Sequence, residues 1–203
     1  MSPRPQTISN DEVLDGTARM IGRLGIMRLT LSDVATELRI TPGTLVHRFG
    51  SKRELLLSLM RRSVEKSAGR IAALRSAAGS RSPYGMLLAL GDRAAGHVET
   101  PAALANNLTF FQVNLGDPQF HRLMRARARG LRREIRTLTR QAVAAGELRP
   151  CNTEQLARTL QATINGSLLQ WAIEQQGSLT SWIRSNLETV LRPFARRRAR
   201  PIK

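Results

Sequence analysis

Three hydroxyl residues, Thr30, Thr41 and Ser51, follow one another in quick succession, and each begins a pattern that opens a helix. Thr30 has Asp33 three residues on, as in a capping box, and the helix it opens turns Leu31, Val34, Ala35 and Leu38 inward. Thr41 precedes Pro42, a hydroxyl cap with proline at the first helical position, where the missing amide costs nothing; Leu45 and Phe49 face inward. Ser51-Lys52-Arg53-Glu54 is a second capping box, with Leu55, Leu56, Leu59, Met60 and Val64 available for burial after it. Each cap is worth about 1 kcal/mol. Starts this closely spaced leave room for only about two turns in each of the first two helices, and such helices are marginal alone. They need a shared core, and Leu14, Ala18, Ile21 and Leu24, ended by Gly25, supply a first helix with one apolar face. Two short helices joined by Arg39 and Ile40 on that support make a helix-turn-helix, with the helix from Thr41 to Phe49 as the reader.

The pattern changes beyond residue 70. Longer helical periods are separated by Ala/Gly/Ser-rich breaks such as Ala77 to Pro83, so a second, larger helical domain is expected. Thr100-Pro101 and Asp117-Pro118 repeat the cap-then-proline start, and the helix after Asp117 is expected to bury Phe120, Leu123 or Met124, Leu131, Ile135, Leu138 and Ala142 before Gly146. Thr153 and Thr180 are read as openers of two final helices, with faces through Leu156, Leu160, Ile164, Leu168 and Trp171, then Trp182, Ile183, Leu187, Val190, Leu191 and Phe194. Strand signals are nearly absent, with aromatics at 4% and no Asn-Gly or Asp-Gly turn between alternating runs. The reading is all-α: a helix-turn-helix DNA-binding domain over 8–68, a larger helical domain over 69–194 whose last apolar faces suit a core or a partner helix, about nine helices in all, and a basic disordered tail over 195–203.

The formal charge of +17 predicts attraction to polyanions, nucleic acid first. Its location qualifies that: most of the excess lies after residue 56, outside the reader. The Arg-rich helix through Arg122, Arg125, Arg127, Arg129, Arg132, Arg133, Arg136 and Arg140 carries arginine on every face, and a solvated, salt-bridged surface is the expected role. Arg196, Arg197, Arg198, Arg200 and Lys203 add non-specific DNA affinity in the tail. No apolar run is long enough to span a bilayer and no export signal opens the chain, so a cytoplasmic protein without membrane partners is expected. The single cysteine, Cys151, makes no internal disulfide. Catalysis is disfavoured because His47, His97 and His121 are scattered and there is no HExxH or phosphate-binding loop; Asp117 with His121 is a weak metal pair, and no metal or cofactor is expected.

From Val13 to Leu56 the chain resembles the DNA-binding domain of the tetracycline-repressor (TetR) family. The stretch ITPGTLVHRFGSKRELL, Ile40 to Leu56, is similar to the family's most recognisable segment in residue type, order and spacing, after TLSDVA at Thr30 to Ala35. The remainder matches loosely through Asp117-Pro118, AAGELRP at Ala144 to Pro150, and a final amphipathic helix pair. Two positions depart: Arg39 stands where the family usually has Gly, and Val46 where it usually has Tyr. The first implies strain of about a kcal/mol if its φ is positive. The second removes a phenol that in the family commonly touches phosphate.

The resemblance implies a dimeric repressor on a palindromic operator, with half-sites about one DNA turn, roughly 35 Å, apart. It also implies dimerisation through the last two helices and release by a small-molecule effector bound in the larger domain. The reading residues are Thr30, Ser32, Thr41, Gly43, Thr44, His47, Arg48 and Lys52. Gly43 and Thr44 let the start of the reading helix approach the major groove, where Thr44 contacts bases or the thymine methyl. By resemblance His47 meets phosphate; Arg48 reaches phosphate or guanine, and Lys52 neutralises phosphate at the start of its helix. Thr30 and Ser32 add contacts from the preceding helix, and Thr41 combines capping with contact. Met86, Phe110, Phe111 and Met124 are read as core, and no effector site is assigned. A constitutive DNA-binding protein with no effector is the alternative reading.

Overall fold

The computed structural model describes residues 8–68, 82–95, 98 and 100–196. These residues form α1 (Asn10–Leu24), α2 (Leu31–Glu37), α3 (Pro42–Phe49), α4 (Lys52–Ala68), α5 (Pro83–Leu88), α6 (Leu90–Ala95), α7 (Pro101–Asn114), α8 (Pro118–Ala144), α9 (Thr153–Glu174) and α10 (Leu179–Leu191). Only Ala89 parts α5 from α6, and among the described residues the one extended pairing is an isolated bridge between Leu148 and Ala195. The all-helical architecture agrees with the sequence. His97 and most of the Ala77 to Pro83 break lie outside the described residues, as do Arg197, Arg198, Arg200 and Lys203 of the expected tail. Ala195 and Arg196, assigned to that tail, are paired instead: Arg196 N–H donates to the Glu147 carbonyl at 2.9 Å, and Arg149 N–H donates to the Phe194 carbonyl at 2.7 Å.

The chain divides into two compact units, one of Met1–Glu65 with Ala102–Arg125, the other of Lys66–Pro101 with Ala126–Lys203. In the first, Val13, Leu14, Met20, Ile21, Ile26, Leu29, Val34, Ala35, Leu45, Leu55, Leu56, Leu57 and Met60 make one core that also takes in Phe110 and Phe120. Those two rings meet edge to face, centroids 6.2 Å apart, the arrangement the ring quadrupoles favour. So α7 and the first turns of α8 complete the core of the helix-turn-helix. On α1 the buried face runs through Val13, Leu14, Thr17, Met20 and Ile21, and Ala18 is exposed where the sequence placed it inward. Thr17 takes that place because its hydroxyl donates to the Val13 carbonyl at 2.8 Å, which removes the cost of burying it. Gly25 closes α1 at φ 72°, and a Cβ there would lie 2.7 Å from Asn106 Oδ1, whose amide nitrogen donates to the Gly22 carbonyl at 2.8 Å.

In the second unit, Leu87, Ile135, Leu138, Leu160, Ile183 and Leu187 are fully buried, and Met86 is core as expected. Two helix starts differ from the sequence reading. Asn152, not Thr153, caps α9, and Ser178, not Thr180, caps α10. The Arg-rich helix α8 makes specific contacts on its inner side. Arg136 pairs with Glu154 at 3.2 Å, Arg132 donates to Gln161 Oε1 at 3.2 Å, and Glu134, 2% exposed, binds Arg93 of α6 through both carboxylate oxygens. Arg122, Arg125, Arg129, Arg133 and Arg140 are exposed, the solvated surface the composition suggested.

Candidate nucleic-acid interface

Helix α3 owes its position to two anchors. Leu45 is fully buried and Phe49 is half-buried against the same core, which turns Pro42, Gly43, Val46 and His47 outward. Its start is fixed by Thr41, whose hydroxyl oxygen accepts from the Thr44 amide at 3.2 Å and shares a 2.9 Å hydrogen bond with the Thr44 hydroxyl. Gly43 has no near neighbour but the Thr41 hydroxyl, at 3.8 Å from an added Cβ, so the first turn presents a low surface. Val46, 49% exposed, stands on the outward side as a bare apolar contact.

The remaining sequence-assigned residues surround this helix. At the start of α2, Thr30 and Asp33 form the full capping box: the Thr30 hydroxyl donates to Asp33 Oδ2 at 2.6 Å and accepts from the Asp33 amide at 3.1 Å. The Thr30 hydroxyl and the Thr30 amide, which donates to the same Oδ2 at 2.8 Å, hold the Asp33 carboxyl below the usual carboxylate range, with Arg28 and Lys52 adding to the effect. The hydroxyl of Thr30 is thus committed to the cap, whereas Ser32 in the first turn is exposed. Only half of the expected box at Ser51 forms. The Glu54 amide donates to Ser51 Oγ at 3.2 Å, but the Glu54 carboxylate turns to Arg53 at 3.0 Å.

Arg48 and Lys52, assigned to DNA by sequence, have partners in the free protein. Arg48 Nη1 donates to the Ile8 carbonyl at 2.5 Å, and Lys52 Nζ donates to the Ile26 carbonyl at 2.8 Å. Each keeps further N–H groups beyond the one used, because a guanidinium carries five donors and an ammonium three. The tethers therefore hold Arg48 on α3 and Lys52 at the start of α4 without consuming their donors. Nothing in the spacing of residues announces them, since both acceptors are main-chain carbonyls distant in sequence.

Most other cations of this unit serve packing. Arg19 and Arg23 of α1 share Glu37 of α2; Arg62 of α4, 12% exposed, binds Asp11 and Asp15 of α1; Arg53 binds Asp117 at 2.8 Å and Gln119 at 2.8 Å. Arg28 and Arg39, absent from the sequence-assigned set, are exposed at the two ends of α2. Arg39 adopts φ 55°, so the turn keeps the left-handed geometry expected of a glycine there. Among the described residues no group of three or more His, Cys, Asp or Glu is placed to hold a metal, and no helix is long and apolar enough to cross a membrane.

Residues 13–59 match the bacterial regulatory proteins of the tetR family, and residues 87–199 match the BetI-type transcriptional repressor, C-terminal. The HTH-type transcriptional regulator BetI 1 of Chromohalobacter salexigens is 28% identical over 85% of this chain and 83% of its own. The BetI regulator of Rhizobium meliloti is 25% identical over 83% of this chain and 80% of its own. Among solved structures, a transcriptional regulator from Saccharomonospora viridis in complex with choline superposes with a TM-score of 0.72 at 21% identity, covering 93% of this chain and 98% of that one. A capped, outward-facing α3 in the helix-turn-helix and a BetI-type match over more than half the length agree, and the chain belongs to the TetR family of bacterial transcriptional regulators.

Proposed function

We propose that this chain is a dimeric repressor that holds a palindromic operator with α3 and releases it when a small molecule binds its larger helical part. The outward face of α3 carries the reading: buried Leu45 and half-buried Phe49 fix a helix whose opposite side is left free beside two tethered cations. Residues 8–68 are the reading domain and 69–194 the regulatory and dimerisation domain. Gly43 and Thr44 approach base edges; His47 and Lys52 meet phosphates and Arg48 reaches phosphate or guanine; Ser32 adds a contact from α2, and Thr30 and Thr41 hold the helix starts in place. The dimer forms through α9 and α10. In support of that, Ala162, Gly166, Leu169 and Ile173 of α9 fall on one exposed face, with Leu169 and Ile173 at 51% and 67% exposure, and Val190 of α10 is half-buried. Leu187, named with Val190 on the last apolar face, is fully buried within its own protomer and belongs to the core.

The test of the reading head is direct. Thr44→Ala with His47→Ala is expected to abolish retention of an operator duplex while the far-ultraviolet helical signal persists. Unchanged operator affinity would remove α3 from the reading role. Lys52→Ala is expected to weaken all duplexes alike and to flatten the salt dependence by about one unit. Release of the operator on adding members of a metabolite library tests the effector, and a choline-bearing relative makes small organic cations a sensible first set.

A further inference from the structure

We propose that Arg39 is a phosphate-binding residue of the DNA interface, placed at the turn between α2 and α3 to clamp the duplex backbone beside the reading helix. The inference rests on the reading of α3 as the DNA-contacting helix. Its starting observation is an unrewarded strain. Arg39 has φ 55°, where a side chain is disfavoured and a glycine is at ease. Its amide donates to the Thr36 carbonyl at 3.2 Å, a bond any residue with an N–H makes. Its side chain is exposed and, among the described residues, has no hydrogen-bond acceptor or ion-pair partner.

The other cations between Ile8 and Glu65, Arg28 apart, have hydrogen-bond or ion-pair partners. Arg19, Arg23, Arg53, Arg61 and Arg62 have carboxylates, and Arg48 and Lys52 have main-chain carbonyls. Arg28 lies near enough to Asp33 to help hold its carboxyl down. Glu37, the acid nearest Arg39 in sequence, is taken by Arg19 and Arg23 of α1. The fold therefore gains nothing from a guanidinium at this position. Strain kept without a structural return points to a use in the bound state. Chemistry and place indicate which: a permanent charge with five donors suits a phosphate, and Arg39 stands two residues ahead of Thr41, the cap of α3. A long side chain there is within reach of the strand flanking a groove that α3 enters.

The experiment uses the full chain and a short duplex that the wild-type protein selects from a random-sequence pool, with affinity measured between about 50 and 200 mM salt. Arg39→Gly is expected to fold with a Tm no lower than wild type, to bind more weakly, and to reduce the salt slope by about 0.9 unit, so that its deficit shrinks about 3.5-fold across that range. Arg39→Lys is expected to keep the wild-type slope. An Arg39→Gly slope equal to wild type would overturn the proposal while leaving the reading head intact. A loss confined to duplexes with one particular base pair would overturn the phosphate role in favour of base contact. If the wild-type chain selects no duplex, or if Thr44→Ala with His47→Ala selects as well as wild type, the reading of α3 fails and the proposal with it.

Discussion

At Arg39 the left-handed backbone costs a non-glycine residue about 1–2 kcal/mol. Replacement by glycine removes that cost but adds freedom to the unfolded chain, which returns roughly 0.5–1 kcal/mol. Arg39→Gly is therefore expected to raise stability by up to about 1.5 kcal/mol in urea unfolding, and Arg39→Val to lower it, because β-branching tolerates this region least. A glycine variant less stable than wild type would show that the turn is not strained. At Cys151 partial burial pushes the thiol up, which lowers the thiolate fraction at any given pH. Its reaction with a thiol reagent at pH 8 is expected to be slower than that of free cysteine, and a faster reaction would contradict the burial. Both residues show the limit of reading a sequence. The conflict at Arg39 followed from the family resemblance, which implies glycine at that turn, whereas the absence of a partner for its side chain among the described residues depended on where Glu37 went.

Among the elements, three helix starts contribute to the pH dependence. Glu12 at the start of α1, Asp33 at α2 and Asp117 at α8 have carboxyls held below the usual range, Glu12 chiefly by the Ser9 backbone amide, Asp33 by the Thr30 hydroxyl, and Asp117 by Arg53. Each folded-state value lies under its unfolded one, so the contribution is present above about pH 4 and is lost as pH falls further. All three sit in the unit that contains the helix-turn-helix. Acid titration followed by circular dichroism is expected to show stability falling below about pH 4, and Asp33→Asn with Asp117→Asn should blunt that fall. Packing is the other determinant. Leu45→Ala is expected to cost about 2–5 kcal/mol and to release α3, because Leu45 is its one fully buried anchor. The caps at Ser9, Thr30, Thr41 and Asp117 are local, each a side chain bonding an amide two or three residues away, and three of the four were read from sequence alone. The start of α10 was not, because Ser178, Thr180 and Ser181 all offer hydroxyls and only the path of the chain through Gly177 selects the first.

For the whole molecule, the exposed apolar face of α9 bears on assembly. Leu169→Glu with Ile173→Glu is expected to yield a folded monomer by sedimentation, since both side chains are mostly exposed within the protomer. Leu187→Glu is expected instead to unfold the chain, because a charge at a fully buried site without a partner is costly. A stable dimer in the first variant would move the interface elsewhere. The all-helical class, the order of the short helices around the turn and the capped start of α3 follow from local sequence, because caps, proline placement and a 3.6-residue apolar period act within one or two turns. Tertiary structure decided that α7 and the start of α8 share the core of the helix-turn-helix through Phe110 and Phe120. It also decided which arginines pair, which main-chain carbonyls hold Arg48 and Lys52, and that Arg39 has no partner among the described residues. Those outcomes depend on contacts between residues far apart in the chain, whose partners no local pattern specifies.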